Sequence, residues 1–453
     1  MEVWKMAGLK GIKFAGRDKF AGFKTSILEL FGKSQEFSQN RRNILISNYN
    51  SVVANNLIGG NFFTGFLLLM NINDSDIGLI TVISMFGNML QVFSPLLLER
   101  FEKRKKILII GRIVIHFINI VLISIIPILA PNDSMKLSLI LVATLLVNVL
   151  NAMTAPGYQV WHIKSVPNEM RSRYFSFIQL TNSIIVYTVI LFASLMVDVF
   201  KQNGNELTGL LILRGAALVL AVFDIVYLAR IREYPVSKRN MRVRDVMLSP
   251  FKEKKFLVTV AMACMWSFTA NIPGSYYSVY LLRELNISYS FLNTVNMLSI
   301  PVMILVMPIW RRKVDTTSWF RTLYLCISLY IVHYLGLAFV TEKNLLLYLI
   351  FMLYAFAISP GINLVFSNLP YVNMPDENQT NLLGFYSTLN SFAGFLGASL
   401  GRQFITMTEG MRIKFGGTTM GNKQLVLILA AVFMLASALT IFRLTRKSDS
   451  EIA

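Results

Sequence analysis

Charge is scarce in this sequence, and cysteine scarcer still. Asp, Glu, Lys and Arg make up 15% of the 453 residues against 55% hydrophobic ones, a balance foreign to soluble globular domains of this length. The two cysteines, Cys264 and Cys326, both lie in long apolar runs with nothing to pair them, which excludes a disulfide framework and a thiolate metal site. No nucleophile-base-orienter set, metal cluster or phosphate-cradling glycine loop can be traced, so no enzyme activity, cofactor or metal is expected. Residues 1–43 lack a continuous apolar core, which argues against a cleavable signal peptide.

What the sequence does have is apolar stretches of about twenty residues, each enough to cross a ~30 Å hydrocarbon core as a helix. Twelve are expected, over residues 44–70, 77–98, 107–128, 137–160, 174–198, 209–229, 256–281, 289–310, 318–340, 344–369, 382–405 and 424–443. The reading is an all-α integral membrane protein. Its net charge of +19 raises the question of a nucleic-acid partner, which the placement of Lys and Arg decides. With the amino terminus inside, thirty-three of the 43 basic residues fall in cytoplasmic segments, and seven in outer loops. Basicity therefore encodes topology and attraction to anionic lipid, with no nucleic-acid role.

The densest basic turn, Ser94 to Lys106, carries Arg100, Lys103, Arg104, Lys105 and Lys106. It pins its side of the membrane to the cytoplasm, and counting outward puts both termini there too. The expected organisation is a basic amphipathic amino-terminal segment (1–43), six spans (44–229), a basic linker with Pro235 and Pro250 (230–255), six more spans (256–443) and a tail (444–453). From Phe20 onward the first segment has the spacing of a helix lying on the inner leaflet, with a solvated tail as the alternative.

Several spans are unusually polar. Span 1 holds Asn48, Asn50, Asn55 and Asn56, then Gly59, Gly60 and Asn61, and hydrocarbon offers an amide no partner. Asn48, Ser51, Asn55, Gly59 and Phe62 share one face, read as lining an aqueous cavity, with close helix packing as the alternative. Span 4 repeats the pattern with Asn148, Asn151, Ala155 and Tyr158, and Pro156-Gly157 is expected to kink it. Span 5 adds Asn182, Ser183 and Tyr187. Span 7 aligns Trp266, Pro273, Tyr277 and Tyr280 beside Asn271, and a break at Pro273-Gly274 suits a substrate gate. Spans 10 and 11 bring Ser359, Asn363, Tyr386 and Asn390. The substrate-binding candidates are thus Asn55, Asn56, Asn148, Asn151, Asn182, Trp266, Asn271, Tyr277, Ser359, Asn363, Tyr386 and Asn390.

An internal duplication is visible. The turn Pro167-Asn168-Glu169-Met170-Arg171-Ser172-Arg173 precedes Asn182-Ser183, and Pro375-Asp376-Glu377 precedes Asn390-Ser391, each pair beginning 15 residues after its proline. Twelve spans in a six-plus-six arrangement, basic turns after spans 2 and 8 and this acidic-basic turn after span 4 together resemble the major facilitator superfamily. The resemblance implies two pseudo-symmetric six-helix bundles, with a cavity lined by spans 1, 4, 7 and 10 and completed by spans 2, 5, 8 and 11. The family's turn after span 2 reads Gly-x-x-x-Asp-Arg-x-Gly-Arg-Arg; Pro95, Glu99, Arg100, Glu102, Lys103 and Arg104 stand here. By position, Glu99, Arg100 and Arg104 inherit its role as a conformational latch. The coupling groups of the family's proton-driven drug exporters and sugar-cation symporters are missing: span 4 has no Arg, and spans 2 and 4 have no Asp.

Ionisable groups at bilayer depth are costly and are functional suspects. The resemblance makes spans 3 and 6 neighbours on the outside of the fold, so Arg112 and Asp224 are expected to form a structural ion pair between them, whereas Asp198, Arg214 and Arg402 near span ends can snorkel. His116 and His333 lie nearer mid-depth and can titrate near neutrality, on spans the resemblance places away from the cavity. The overall expectation is a secondary active or facilitative transporter of the bacterial cytoplasmic membrane, working by alternating access on a neutral polar solute: a sugar, glycoside or nucleoside. Expected partners are that small-molecule substrate, a coupling H+ or Na+ and membrane lipid, with the chain a monomer. Two alternatives stand beside it: an exporter of amphipathic compounds, to which the 22 Met residues would give an adaptable lining, and a membrane sensor or scaffold of the same fold that does not transport.

Overall fold

The computed structural model describes residues 38–98, 100–166, 171–233, 249–372, 379–415 and 418–450. The amphipathic segment from Phe20, most of the linker, Glu99, and the turn residues Pro167, Glu169 and Pro375 lie outside the described residues.

A backbone in hydrocarbon must satisfy its own N–H and C=O groups, so the described chain is almost wholly helical. Span 1 is Ser38–Leu57 followed by Gly60–Leu69. Span 2 is Asp74–Met89, prolonged by Leu90–Phe93 and Ser94–Leu98. Span 3 is Lys105–His116, a π-helical turn Phe117–Leu122, and Ile123–Leu129. Spans 4, 5 and 6 are Asp133–Lys164, Arg171–Gln202 and Glu206–Ala229. Span 7 is Lys254–Asn271, Tyr276–Val279 and the π-turn Tyr280–Glu284, and span 8 is Tyr289–Met297 with Ser299–Thr316. Spans 9 to 12 are Trp319–Ala338, Leu345–Val372, Gln379–Met407 and Asn422–Ser450.

Among the described residues, eleven of these twelve are long and apolar enough to cross a membrane. Span 11 falls short in hydropathy because Asn381, Ser387, Asn390, Arg402 and Gln403 interrupt it, and it packs along spans 2 and 7. Gly397 and Gly401 set that packing distance. A Cβ on either would lie 2.0 or 1.9 Å from the carbonyl oxygens of Phe268 and Ile272 in span 7, so the two backbones touch directly.

Span 1 starts at Ser38 rather than at residue 44. Its first turns are polar but buried: Asn40 donates to Ser165 Oγ (3.3 Å) and accepts from the Arg232 N–H (2.6 Å), satisfaction that hydropathy does not see. Spans 1 and 7 are both broken at a glycine in the left-handed region, Gly60 (φ +53°) and Gly274 (φ +48°), where a side chain would be strained. The break in span 7 matches the expectation, and that in span 1 was not foreseen. Span 4, by contrast, continues as helix through Pro156. Between spans 11 and 12 a short antiparallel hairpin, Arg412–Phe415 with Thr418–Gly421, is the one β element described. Large apolar side chains left exposed, such as Ile110, Phe117, Ile128, Leu305 and Ile309, form the lipid-facing surface.

Candidate functional site

A cavity of about 410 Å3 lies between spans 1, 5 and 8, within the size range of small-molecule sites. Five amides line it, Asn56, Asn61, Asn182, Asn293 and Asn296, together with Ser183 and Tyr187; Val52, Phe62, Val186 and Ile190 form its apolar wall. None of its lining residues is ionised. Asn182 Nδ2 donates to Asn48 Oδ1 at 2.7 Å, while its own Oδ1 is buried without a partner among the described residues. An orphan acceptor in such a place costs about 1–3 kcal/mol, which a hydroxyl or N–H from a ligand would recover. Asn56 spends its Nδ2 on the Val52 carbonyl (2.8 Å), leaving its amide oxygen uncommitted. Asn293 Nδ2 reaches Ser194 Oγ at 2.7 Å, and the Tyr187 and Ser299 hydroxyls meet at 3.2 Å. A hydrogen bond between Tyr49 and Thr181 staples span 1 to span 5 at its edge.

Of the sequence candidates, Asn56 and Asn182 line this cavity. Asn148, Asn271 and Ser359 each donate to a carbonyl one turn back on their own helix, at 2.8, 2.7 and 2.7 Å. Trp266 packs between Tyr330 and Phe366, Tyr277 lies among Tyr280 and Tyr348, and Tyr386 joins the Phe256 and Phe385 cluster. Asn55 and Asn363 are exposed; Asn151 and Asn390 are half-buried, the Asn390 carbonyl accepting from Ser267 Oγ at 2.7 Å. The cavity is therefore built by spans 1, 5 and 8, and Asn55, Asn148, Asn271 and Asn363 do not share it. Sequence reading missed Asn293 and Asn296. Their signal was present, since Ser290, Asn293 and Asn296 recur every three residues in the first half of span 8.

The first six and last six spans are joined at the end opposite the basic turn. Asp74 pairs with Arg283 (3.0 Å) and with Lys423 (2.6 Å), which also meets Glu284; Arg402 approaches Asp76 (3.8 Å), and the Ser75 and Thr406 hydroxyls lie 2.7 Å apart. Asp198 accepts the backbone N–H groups of Tyr289 (2.9 Å) and Ser290 (2.8 Å) at the start of span 8, where a helix favours negative charge. Tyr289 donates to Glu206 at 2.7 Å and stacks on the cavity-lining Phe62 at 5.6 Å between ring centroids. Asp198 is thus not a snorkelling residue; it is 7% exposed and fastens two spans. Arg214 does not snorkel either. It is buried, donates to the Asn119 carbonyl in the π-turn of span 3 (3.1 Å) and stacks over Phe66 at 4.2 Å.

The family model described as Major Facilitator Superfamily matches residues 45–398. The chain belongs to the major facilitator superfamily. Similar solved structures include the nucleoside transporter NupG (14% identity, TM-score 0.61, covering 89% of this chain and 98% of that one). Another is the xylose transporter XylE from E. coli in a partially occluded inward-open conformation (10%, 0.63, 90% and 99%). A third is a bacterial homologue of the iron transporter ferroportin in an inward-facing state (14%, 0.64, 89% and 100%). At such identities these likenesses concern the fold. No curated protein matches the chain. It is a multi-pass membrane transporter of this superfamily, whose members carry small molecules.

In this superfamily member the turn after span 2 is anchored to the start of the linker: Lys105 N donates to Glu233 Oε1 (2.9 Å) and Lys105 Nζ to the Ile231 carbonyl (2.8 Å). Arg100 is exposed, and Arg104 Nε donates to the Phe101 carbonyl at 3.2 Å. The expected contact between Arg112 and Asp224 is present, with Nε 3.1 Å from Oδ2, at an angle that makes it an ion pair rather than a hydrogen bond. It has company that sequence reading did not supply. His116 Nε2 lies 2.8 Å from the same Oδ2, and Ser47 Oγ donates to Oδ1 at 2.5 Å. Asp224 is fully buried among spans 1, 3 and 6.

Proposed function

We propose that this protein moves a neutral, hydrogen-bonding solute of the sugar, glycoside or nucleoside class across the bacterial cytoplasmic membrane by alternating access. The observation that carries this reading is the uncharged, amide-rich lining of the cavity between spans 1, 5 and 8. Amides both donate and accept, so they match vicinal hydroxyls or a base edge, whereas an ionic solute would call for a fixed counter-charge. The ion pairs and hydrogen bonds around Asp74, Asp198 and Lys423 act as the closed outer gate, and the basic end, with both termini, faces the cytoplasm. The first and second six spans rock as two bundles, Arg100, Arg104 and Glu99 serving as the latch on the cytoplasmic side. The chain works as a monomer, without enzymatic activity, with H+ or Na+ as coupling ion.

The test is thermal stability of the purified chain against sugars, glycosides, nucleosides, amino acids and amphipathic drugs, since a bound ligand stabilises by mass action. One neutral polar class should raise the melting temperature, and Asn182→Ala should shrink the shift at the same ligand concentration. Stabilisation by amphipathic drugs alone would favour the exporter; the absence of any ligand, with transport activity also absent, would favour a sensor or scaffold.

A further inference from the structure

The Asp224 cluster does nothing for the cavity directly, yet it is the densest group of ionisable atoms buried in the described chain. Asp224 is 0% exposed and His116 3%. Arg112 and His116 approach the same carboxylate oxygen, from one helix and one turn apart, and Ser47 takes the other. Two cationic partners for one buried carboxylate leave a charge imbalance if both are charged. With His116 neutral the cluster sums to zero; with His116 protonated and Arg112 in place it carries a full positive charge within the membrane, which is costly.

Arg112 has somewhere else to go. Its side chain is 18% exposed, and its guanidinium already lies over the Tyr158 ring at 4.5 Å, with Tyr158 held by its own bond to the Leu108 carbonyl (2.6 Å). His116 keeps one ring nitrogen unpartnered. Its Nε2 is committed to Asp224, while Nδ1 is buried and has no partner among the described residues. The π-turn that starts at Phe117, one residue after His116, provides a local register that can relax to α-helix, a feature common at sites that move. The other ionisable groups facing the cluster are Tyr158 and His162 of span 4, each electrostatically coupled to both Arg112 and Asp224; span 1 contributes the Ser47 hydroxyl.

We propose that Asp224, His116 and Arg112 form a proton-binding site wired to the cavity through span 1. A proton from water adds at His116 Nδ1, the imidazolium takes over as the counter-ion of Asp224, and the Arg112 guanidinium swings past the Tyr158 ring to the solvated Lys105 end of span 3, so the buried charge stays balanced. The wire is short. Ser47, hydrogen-bonded to Asp224, is followed by Asn48, hydrogen-bonded to the cavity residue Asn182. A shift of span 1 at Ser47 therefore changes the amide that carries the orphan acceptor. The inference rests on the transport reading for its purpose, since it names the coupling ion as H+, but its test needs no solute.

Two measurements on the purified full chain settle it. The first is proton uptake between pH 8 and pH 5, followed with an indicator dye in weakly buffered detergent solution. The wild type should take up about one proton per chain more than His116→Gln. The second is the emission of a bimane attached at Val52→Cys on the cavity wall, in a Cys264→Ser, Cys326→Ser background. It should titrate over the same range in the parent and become independent of pH in both His116→Gln and Asp224→Asn. Ser47→Ala separates coupling from architecture: it should keep the proton uptake and lose the bimane response. Equal uptake by His116→Gln and wild type, a bimane signal flat in the parent, or one that still titrates in His116→Gln would overturn the proposal. None of these outcomes depends on whether the solute panel finds a ligand, so the two readings fail separately.

Discussion

Spans 1, 3 and 6 of the first half and spans 7, 9 and 12 of the second occupy matching places in the chain order, and they are held together by opposite chemistry. In the first set a buried carboxylate gathers an arginine, a histidine and a serine. In the second, Thr269 Oγ1 of span 7 meets Met434 Sδ of span 12 at 3.5 Å, while His333 of span 9 lies beside the rings of Tyr330 and Tyr334 of its own span and turns its Nδ1 to the Phe351 carbonyl of span 10 at 2.9 Å. Both halves kept the glycine break in their first helix, Gly60 and Gly274. The backbone device is shared and, among the described residues of these spans, the buried carboxylate cluster is not; the proposed proton-binding site therefore belongs to the first half alone.

The sharpest way to break this contrast is to remove its centre. Asp224→Leu strands Arg112, His116 and Ser47 and should lower stability by about 3–5 kcal/mol, the cost of an uncompensated buried charge. Met434→Leu in the second half should cost less than about 1.5 kcal/mol as a volume-conserving swap. Denaturant unfolding of the two purified variants compares them. Next in size is the gate. Asp198→Ala leaves two backbone N–H groups of span 8 unmatched, a penalty of about 1–3 kcal/mol. It falls on the closed state alone and should raise the fraction of molecules labelled at that end by a membrane-impermeant reagent. Asn182→Ala should weaken binding of the stabilising solute about tenfold, the worth of roughly one buried hydrogen bond; Asn390→Ala, whose contribution to the span 7 contact is its backbone carbonyl, should leave it unchanged. The smallest effect belongs to His333→Gln, about 1 kcal/mol in stability, with proton uptake as in the wild type.

The helical architecture was legible because hydropathy over twenty residues reports directly on what a bilayer demands. The polar faces were legible only as composition. An Asn in a membrane helix can close on its own i−4 carbonyl outside this cavity, as Asn148 and Asn271 do, close on it and still line the cavity, as Asn56 does, or bond across to another span, as Asn182 does, and nothing local in the sequence distinguishes the three. The same limit applies to charge. Position near a span end suggested snorkelling for Arg214 and Asp198, but each is buried against a feature set by tertiary structure, a π-turn carbonyl in one case and a helix N-terminus in the other. Span 1 began early for a related reason: its polar first turns are satisfied by residues far along the chain.

Alternating access makes a claim about both ends of the molecule at once, and spin-label distances test it without knowing the solute. One pair, at Asn203 and Lys343, spans the gated end, and another, at Lys103 and Asp315, spans the basic end; all four positions are exposed. Measured in lipid nanodiscs over pH 5 to 8, the account expects two populations at each end, with the short distance at one growing as the short distance at the other declines. Distances that stay fixed at both ends, or that lengthen together, would contradict it.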